Sequence, residues 1–123
     1  MTQKVVIVDD NASSLELEMF LFEVKNFQIF GAENARDGIA LAIAEIPDVI
    51  VMDVRLPDLS GIEAAKILRQ HPDTKDIPIV FVTASIMAEG RALIDNIPNS
   101  GFISKPINTR TFVDDVLKYI RAK

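Results

Sequence analysis

The sequence predicts an α/β fold: a five-stranded parallel sheet of order 2-1-3-4-5 with helices on both faces. Two observations carry the prediction. Apolar runs such as Val5-Val6-Ile7-Val8, Val49-Ile50-Val51-Met52 and Ile79-Val80-Phe81-Val82 are short and continuous rather than alternating. That pattern marks strands of a parallel sheet, buried on both faces. Helical patterns lie between the runs, and strands alternating with helices build an open sheet with right-handed crossovers. Order 2-1-3-4-5 is a common outcome for five such strands.

Taken in turn, Val5–Val8 is the first strand, bounded by Asp9-Asp10-Asn11. Ser13-x-x-Glu16 reads as a capping box that opens a helix to about Val24. Gln28–Ala32 is a weaker second strand. Asn34-x-x-Asp37 starts a second helix whose apolar face is expected at Ile39, Ala40, Ile43 and Ala44, and Pro47 ends it. Val49–Met52 is the third strand and leads into Asp53. Leu56-Pro57-Asp58 is a loop. Ser60-x-x-Glu63 is a capping box for a third helix to about Gln70, broken by His71-Pro72-Asp73. Ile79–Val82 ends in Thr83, and a helix of middling quality is expected from about Met87 to Asn96. Pro98-Asn99-Ser100-Gly101 reads as a turn and Phe102-Ile103-Ser104 as the fifth strand. Asn108 or Thr109 is expected to cap a last helix with apolar positions at Phe112, Val116, Leu117 and Ile120. Phe20, Phe22 and Phe112 sit at helical spacings that suit packing, and His71 reads as a plain loop residue.

Composition narrows the function classes. Of the 123 residues, 49% are hydrophobic, which suits a packed core and not a disordered chain. With 13 basic and 18 acidic residues the net charge is -5, and no basic stripe of the kind that tracks nucleic acid is present. The chain has no cysteine, which excludes disulfides and thiolate metal sites and suits a reducing compartment. No apolar run approaches bilayer length. A cytoplasmic protein with a single domain over 1–123 is the expectation, standing alone or excised from a longer regulator or hybrid kinase.

In an open α/β sheet the site lies beyond the carboxyl ends of the strands, where the strand order reverses. Here that point falls between the first and third strands. Asp9 and Asp10 follow the first, Asp53 ends the third, Thr83 ends the fourth, and the fifth leads to Lys105. Each residue alone has a plainer explanation, as a helix cap, a strand-end hydroxyl or a solvated charge. Independent plain causes do not collect all five at adjacent strand ends. Three ionised aspartates repel by roughly 4 kcal/mol per pair at about 4 Å and an effective dielectric near 20. A cation relieves this, and Mg2+ suits an all-oxygen donor set. Pro106 biases Lys105 toward extended backbone.

Together, Val-Asp9-Asp10-Asn11, Val-Met-Asp53-Val-Arg-Leu-Pro57-Asp-Leu-Ser-Gly61, Val-Thr83-Ala84 and Ser-Lys105-Pro106 resemble the receiver domain of two-component response regulators, with a flavodoxin-like fold. The match runs along essentially the whole chain. The resemblance implies a phosphoacceptor switch, charged at Asp53 by a histidine kinase or histidine phosphotransfer protein and acting on a downstream protein target. It implies Mg2+ held by Asp9, Asp10, Asp53 and the backbone carbonyl of Arg55. Thr83 would hydrogen-bond the phosphoryl group and Lys105 would pair with it. Phe102 matches the aromatic switch position, and Pro106 a proline commonly preceded by a cis bond. Arg55 and Ser85 stand where they shape water access. No enzyme activity is implied beyond self-phosphorylation from a donor and autodephosphorylation. The surface around the 87–96 helix, the fifth strand and the last helix would carry the response, as a monomer or a phosphorylation-dependent dimer. Ile97-Pro98-Asn99-Ser100-Gly101 departs from the family, which places a small residue and glycine there, so the end of the 87–96 helix is expected to be altered. Three rival readings are a haloacid dehalogenase-like phosphatase, a flavodoxin-like electron carrier, and a degenerate receiver that only docks. The first needs a second Asp where Arg55 stands, and the second a phosphate-binding loop where Asp9-Asp10 stand.

Overall fold

The fold is taken from a computed structural model that describes residues 2–84, 94 and 96–121. Its order is β1 (Lys4–Val8), α1 (Ala12–Val24), β2 (Gln28–Ala32), α2 (Ala35–Glu45), β3 (Val49–Asp53), α3 (Gly61–Gln70), β4 (Ile79–Thr83), β5 (Ser100–Ser104) and α4 (Phe112–Arg121). All strand pairs are parallel, and the sheet order is β2-β1-β3-β4-β5, as expected. The helix expected over 87–96 falls mostly outside the described residues, as do Met87 and Ser85; Ile94 is helical and buried.

Because successive residues of a strand point to opposite faces, each continuous apolar run feeds two cores. Val6, Val8, Ile50, Met52, Ile79 and Phe81 meet α2 and α3 on one face. Val5, Ile7, Val49, Val51, Val80 and Val82 meet α1 and α4 on the other. Phe22 of α1 and Phe112 of α4 lock the second layer edge to face, with ring centroids 5.8 Å apart, a pairing worth about 0.5–1.5 kcal/mol beyond its area.

Several local expectations shift. The cap of α1 is Asn11 and not Ser13: the Asn11 side chain accepts the Ser14 N–H at 2.9 Å, so the helix starts one residue before Ser13. The caps of α2 and α3 hold, with Asn34 accepting the Asp37 N–H at 2.8 Å and Ser60 accepting the Glu63 N–H at 3.1 Å. The buried face of α2 is Ala35, Gly38 and Ala42, while Ala40 and Ala44 are exposed. Gly38 sets that face, because a Cβ there would stand 2.5 Å from Val8 Cγ2. Phe20 is 58% exposed and does not pack in the core. β5 begins at Ser100, two residues early, since Ser100 pairs with Ile79 in the ladder. α4 begins at Phe112: Asn108 instead closes a turn, its side chain accepting the Arg110 N–H at 3.0 Å and its carbonyl accepting from Phe112 at 2.8 Å.

The segment that departs from the family pattern is organised by Arg69 of α3. Its Nε donates to the Pro98 carbonyl at 2.9 Å and its Nη2 to the Asn99 carbonyl at 3.0 Å. Asn99 takes a left-handed conformation at φ 55°, which asparagine tolerates better than most residues. At the end of α2, Ile46 adopts φ 47°, a costly choice for a β-branched residue. Ile46 is 47% exposed, so little burial offsets the strain. Ile46→Gly is expected to stabilise the fold by up to about 1 kcal/mol, read as a higher urea midpoint with an unchanged slope.

Candidate functional site

The parallel register of β1 on β3 pairs Val8 with Met52. The next residue of each strand, Asp9 and Asp53, therefore emerges at the same sheet edge. Asp10 follows in the loop. The carboxylate oxygens of Asp9, Asp10 and Asp53 lie within 4.8 Å of one another. Asp9 is buried, Asp53 half-buried and Asp10 exposed, so the cluster runs from the core to solvent.

Lys105 crosses to this cluster from the end of β5. Its N–H donates to the Thr83 carbonyl at 2.8 Å, which carries the β4–β5 ladder one residue further. The peptide bond from Lys105 to Pro106 is cis. The Lys105 ammonium reaches Asp9 Oδ2 at 3.0 Å and Asp53 Oδ2 at 3.3 Å. Burial alone would lower the affinity of Lys105 for its proton, yet the hydrogen bond it donates to Asp9 and the charges of Asp53 and Asp9 hold its pKa above the ordinary value. Asp10, Asp53, Arg55, Thr83, Ala84 and Lys105 line a cleft of about 200 Å³. The sequence-predicted residues thus meet in one place. Phe102 stands apart, on β5 opposite Phe81; it is partly buried against the α2–α3 core, and its carbonyl accepts the Tyr119 hydroxyl at 3.3 Å.

The loop after β3 is held by groups that local sequence patterns do not single out. The Arg55 N–H donates to Asp53 Oδ1 at 3.1 Å, so each oxygen of Asp53 has a donor. Asp58, read from the sequence as a plain loop residue, accepts the N–H groups of Ala35 and Arg36 at 2.8 and 2.9 Å. It thereby ties the loop to the positive end of α2. Desolvation would raise the Asp58 pKa, but these backbone hydrogen bonds outweigh it and hold the carboxyl below its usual range. Gly61 brings the loop back onto β3. A Cβ there would lie 2.1 Å from the Asp53 carbonyl oxygen, so any side chain at 61 forces the backbone of the site to move.

Glu18 is the acid that sequence reasoning missed. It lies on the inward face of α1 between Leu15 and Phe22, and all three are buried. That spacing was the available signal. Burial, then a side-chain hydrogen bond with Asp9, then the charges of Asp9 and Asp53 raise its pKa to about 8, against an opposing pull from Lys105.

The donor set fits a hard divalent cation. All three carboxylates offer oxygen, two are partly or fully open to the cleft, and Mg2+ is commonly held by one or two carboxylates with waters and a phosphate.

An acidic cleft at the topological switch point, with a lysine reaching in from the last strand, defines the class: an open α/β protein with a charged site at the carboxyl edge of its sheet. The comparisons narrow it to a family. The sequence profile of the response regulator receiver domain matches residues 5–117, and the chain belongs to that family. The polar-differentiation response regulator DivK of Brucella ovis is 32% identical over 120 residues, covering 98% of each chain. The chemotaxis response regulator CheY4 of Vibrio cholerae superposes with a TM-score of 0.90 at 25% identity, covering 97% of this chain and 99% of that one. A CheY-like receiver domain from Methylobacillus flagellatus gives 0.80 at 26% identity, over 98% and 99% of the two chains. Receiver domains are signalling switches of two-component systems and not conventional enzymes, and the family typically binds Mg2+ in an acidic pocket. Among the described residues no helix is long and apolar enough to cross a membrane.

The raised Glu18 pKa makes a stability prediction. In the unfolded chain Glu18 loses its proton near its model value of 4.5; in the fold it keeps it to about 8. Its contribution is therefore fully present below about pH 4.5 and is lost as pH rises toward 8. In chelator, stability is expected to fall between pH 5 and 8 by on the order of 1 kcal/mol per unit from this group. Glu18→Gln should flatten that slope in urea titrations at stepped pH.

Proposed function

We propose that this protein is a phosphoacceptor switch that takes a phosphoryl group on Asp53 from a phosphohistidine of a histidine kinase or phosphotransfer protein. The observation that carries the reading is the Lys105 ammonium bridging Asp9 and Asp53 at 3.0 and 3.3 Å. A cation so placed can leave Asp53 for an oxygen of an incoming phosphoryl group without leaving the cleft.

In the transfer, an oxygen of Asp53 forms the new P–O bond as the P–N bond to the donor imidazole breaks, and the imidazole departs with its electron pair. The chain contributes position and charge, which dominate phosphoryl transfer. Lys105 neutralises oxygens of the transferring group. Thr83, at the end of β4, donates its hydroxyl to another of them. Asp9, Asp10, Asp53 and the Arg55 carbonyl would hold Mg2+, which would supply the remaining positive charge. Water later cleaves the acyl phosphate, with Arg55 at the mouth of the cleft and Ser85 beyond Thr83 governing its access.

The new dianion rewards Thr83 for moving inward. Phe102 then fills the space that Thr83 vacates, which biases the surface of β5, α4 and the 87–96 segment toward the form that a downstream target binds. Residues 1–123 act as one receiver unit in the cytoplasm, without direct contact to nucleic acid.

Two substitutions test this. Wild type incubated with Mg2+ and a small phosphoryl donor is expected to gain one phosphoryl group by intact mass, and Asp53→Asn none; stoichiometric labelling of Asp53→Asn overturns the assignment. Lys105→Ala is expected to keep the label while the amide shifts of Phe102 and its neighbours on labelling shrink severalfold. An undiminished response removes Lys105 from the switch.

A further inference from the structure

The two edges of the sheet are finished differently. β5 forms one edge. The Asn99 carbonyl accepts the Ile79 N–H and the Lys105 N–H donates to the Thr83 carbonyl, so residues 99 and 105 point toward β4. Hydrogen-bonding direction alternates along a strand, and the Phe102 carbonyl therefore points away from the sheet. The Tyr119 hydroxyl caps that carbonyl at 3.3 Å, and the Tyr119 ring lies against Gly101, where a Cβ would collide with it. A side chain closes this edge.

β2 forms the other edge and has no such cover. Its Gln28 N–H donates to the Gln3 carbonyl at 2.9 Å, and its Ala32 carbonyl accepts the Asp9 N–H at 3.0 Å. Residues 28, 30 and 32 thus face β1, and Ile29 and Gly31 turn their N–H and carbonyl groups outward. Among the described residues, no strand pairs with that side and no side chain hydrogen-bonds it. Proteins ordinarily blunt such an edge with a charged residue, a proline or a bulge. Gln28-Ile29-Phe30-Gly31-Ala32 has neither charge nor proline, and its register with β1 runs unbroken from Gln28 to Ala32.

A trough of about 630 Å³ runs beside this strand, walled by Gly31 and by Ala40, Leu41 and Ala44 of α2. Ala40 and Ala44 are small and exposed, so the helix leaves room next to the edge. Glu33 and Asp37 also line the trough, and none of the described residues lining it is basic. An extended segment added to β2 would meet three matching features: main-chain groups at Ile29 and Gly31, space for its alternate side chains, and two carboxylates for a cation. A second copy offering its own β2 brings no charge to those carboxylates, because that strand is uncharged.

We propose that the outer edge of β2 is a docking site for a basic, extended segment of a partner protein, which joins the sheet as an added strand with a lysine or arginine beside Glu33 and Asp37. The site lies at the opposite edge of the sheet from β5 and so is separate from the response surface.

The test is peptide titration of the whole chain, followed by amide NMR and amide hydrogen exchange. The probe is acetyl-Lys-Thr-Val-Thr-Val-Lys-amide. One control carries Glu in place of both Lys. A second, acetyl-Lys-Thr-Pro-Pro-Val-Lys-amide, lacks the central N–H groups on both sides of the strand. The basic peptide is expected to shift Ile29, Gly31 and Glu33 saturably and to slow exchange at the Ile29 and Gly31 N–H groups. The acidic peptide is expected to bind about tenfold more weakly, and the proline peptide not at all. Glu33→Gln combined with Asp37→Asn is expected to bind the basic and acidic peptides equally. Ile29→Pro removes one outward N–H where proline spares the ladder with β1, and is expected to abolish binding. If that variant does not fold, the proline peptide on wild type makes the same comparison. A basic peptide that fails to bind, or that shifts residues away from β2 and α2, overturns the site. An acidic peptide that binds as tightly overturns the charge match, and a proline peptide that does so overturns strand addition. A chain that sediments as a dimer by itself, with the Ile29 and Gly31 amides already protected, assigns the edge to a second copy and overturns the proposal.

Discussion

The arrangement depends on one electrostatic constraint. Carboxylates end two neighbouring strands and cannot crowd together unless a cation stands between them. β1 and β3 run in register, so Asp9 and Asp53 leave the sheet side by side. Lys105 reaches both from the far edge of the sheet. That reach follows from β5 lying beside β4 and from the Lys105 N–H bonding the Thr83 carbonyl. Sheet order, the β4–β5 ladder and the cleft are therefore parts of one solution to a charge problem.

α1 shows the cost of that solution. Its inward face carries Glu18 among Leu15 and Phe22, while Leu17, Phe20 and Val24 face outward and are exposed. The helix is inverted at one position relative to what its core would favour. Burial of Glu18 favours its neutral form, and the neighbouring charge of Asp9 adds to that preference. Elsewhere the second layer follows ordinary packing, with Phe22, Phe27 and Phe112 meeting edge to face.

Rigidity around Asp53 comes from a different source. The loop between β3 and α3 is pinned at both ends, by Asp58 on the N–H groups that open α2 and by the close approach of Gly61 to the Asp53 carbonyl. A loop so tied holds the Arg55 backbone beside Asp53, whose Oδ1 accepts the Arg55 N–H. The β4 side is built differently. Thr83 ends a fully buried strand, and the departure from the family pattern at Pro98 is absorbed by the Arg69 fork on the Pro98 and Asn99 carbonyls.

The sequence by itself determined the strands, most helices, their order in the sheet and the residues at the strand ends. Continuous apolar runs, capping side chains and proline breaks are local chemistry, and a residue that follows a buried run must surface at the sheet edge. Errors fell where local chemistry offers near-equal choices. Asn11 and Ser13 both cap helices well, Ser100 and Gly101 suit a turn as readily as an edge strand, and Phe20 has the composition of a core residue on a face turned to solvent. What only the tertiary structure decided are the meetings between distant segments: Glu18 under Asp9, Asp58 on the start of α2, Gly61 against Asp53, Arg69 on Pro98. These contacts depend on the packing of helices onto a twisted sheet, and no pattern within a single segment encodes them.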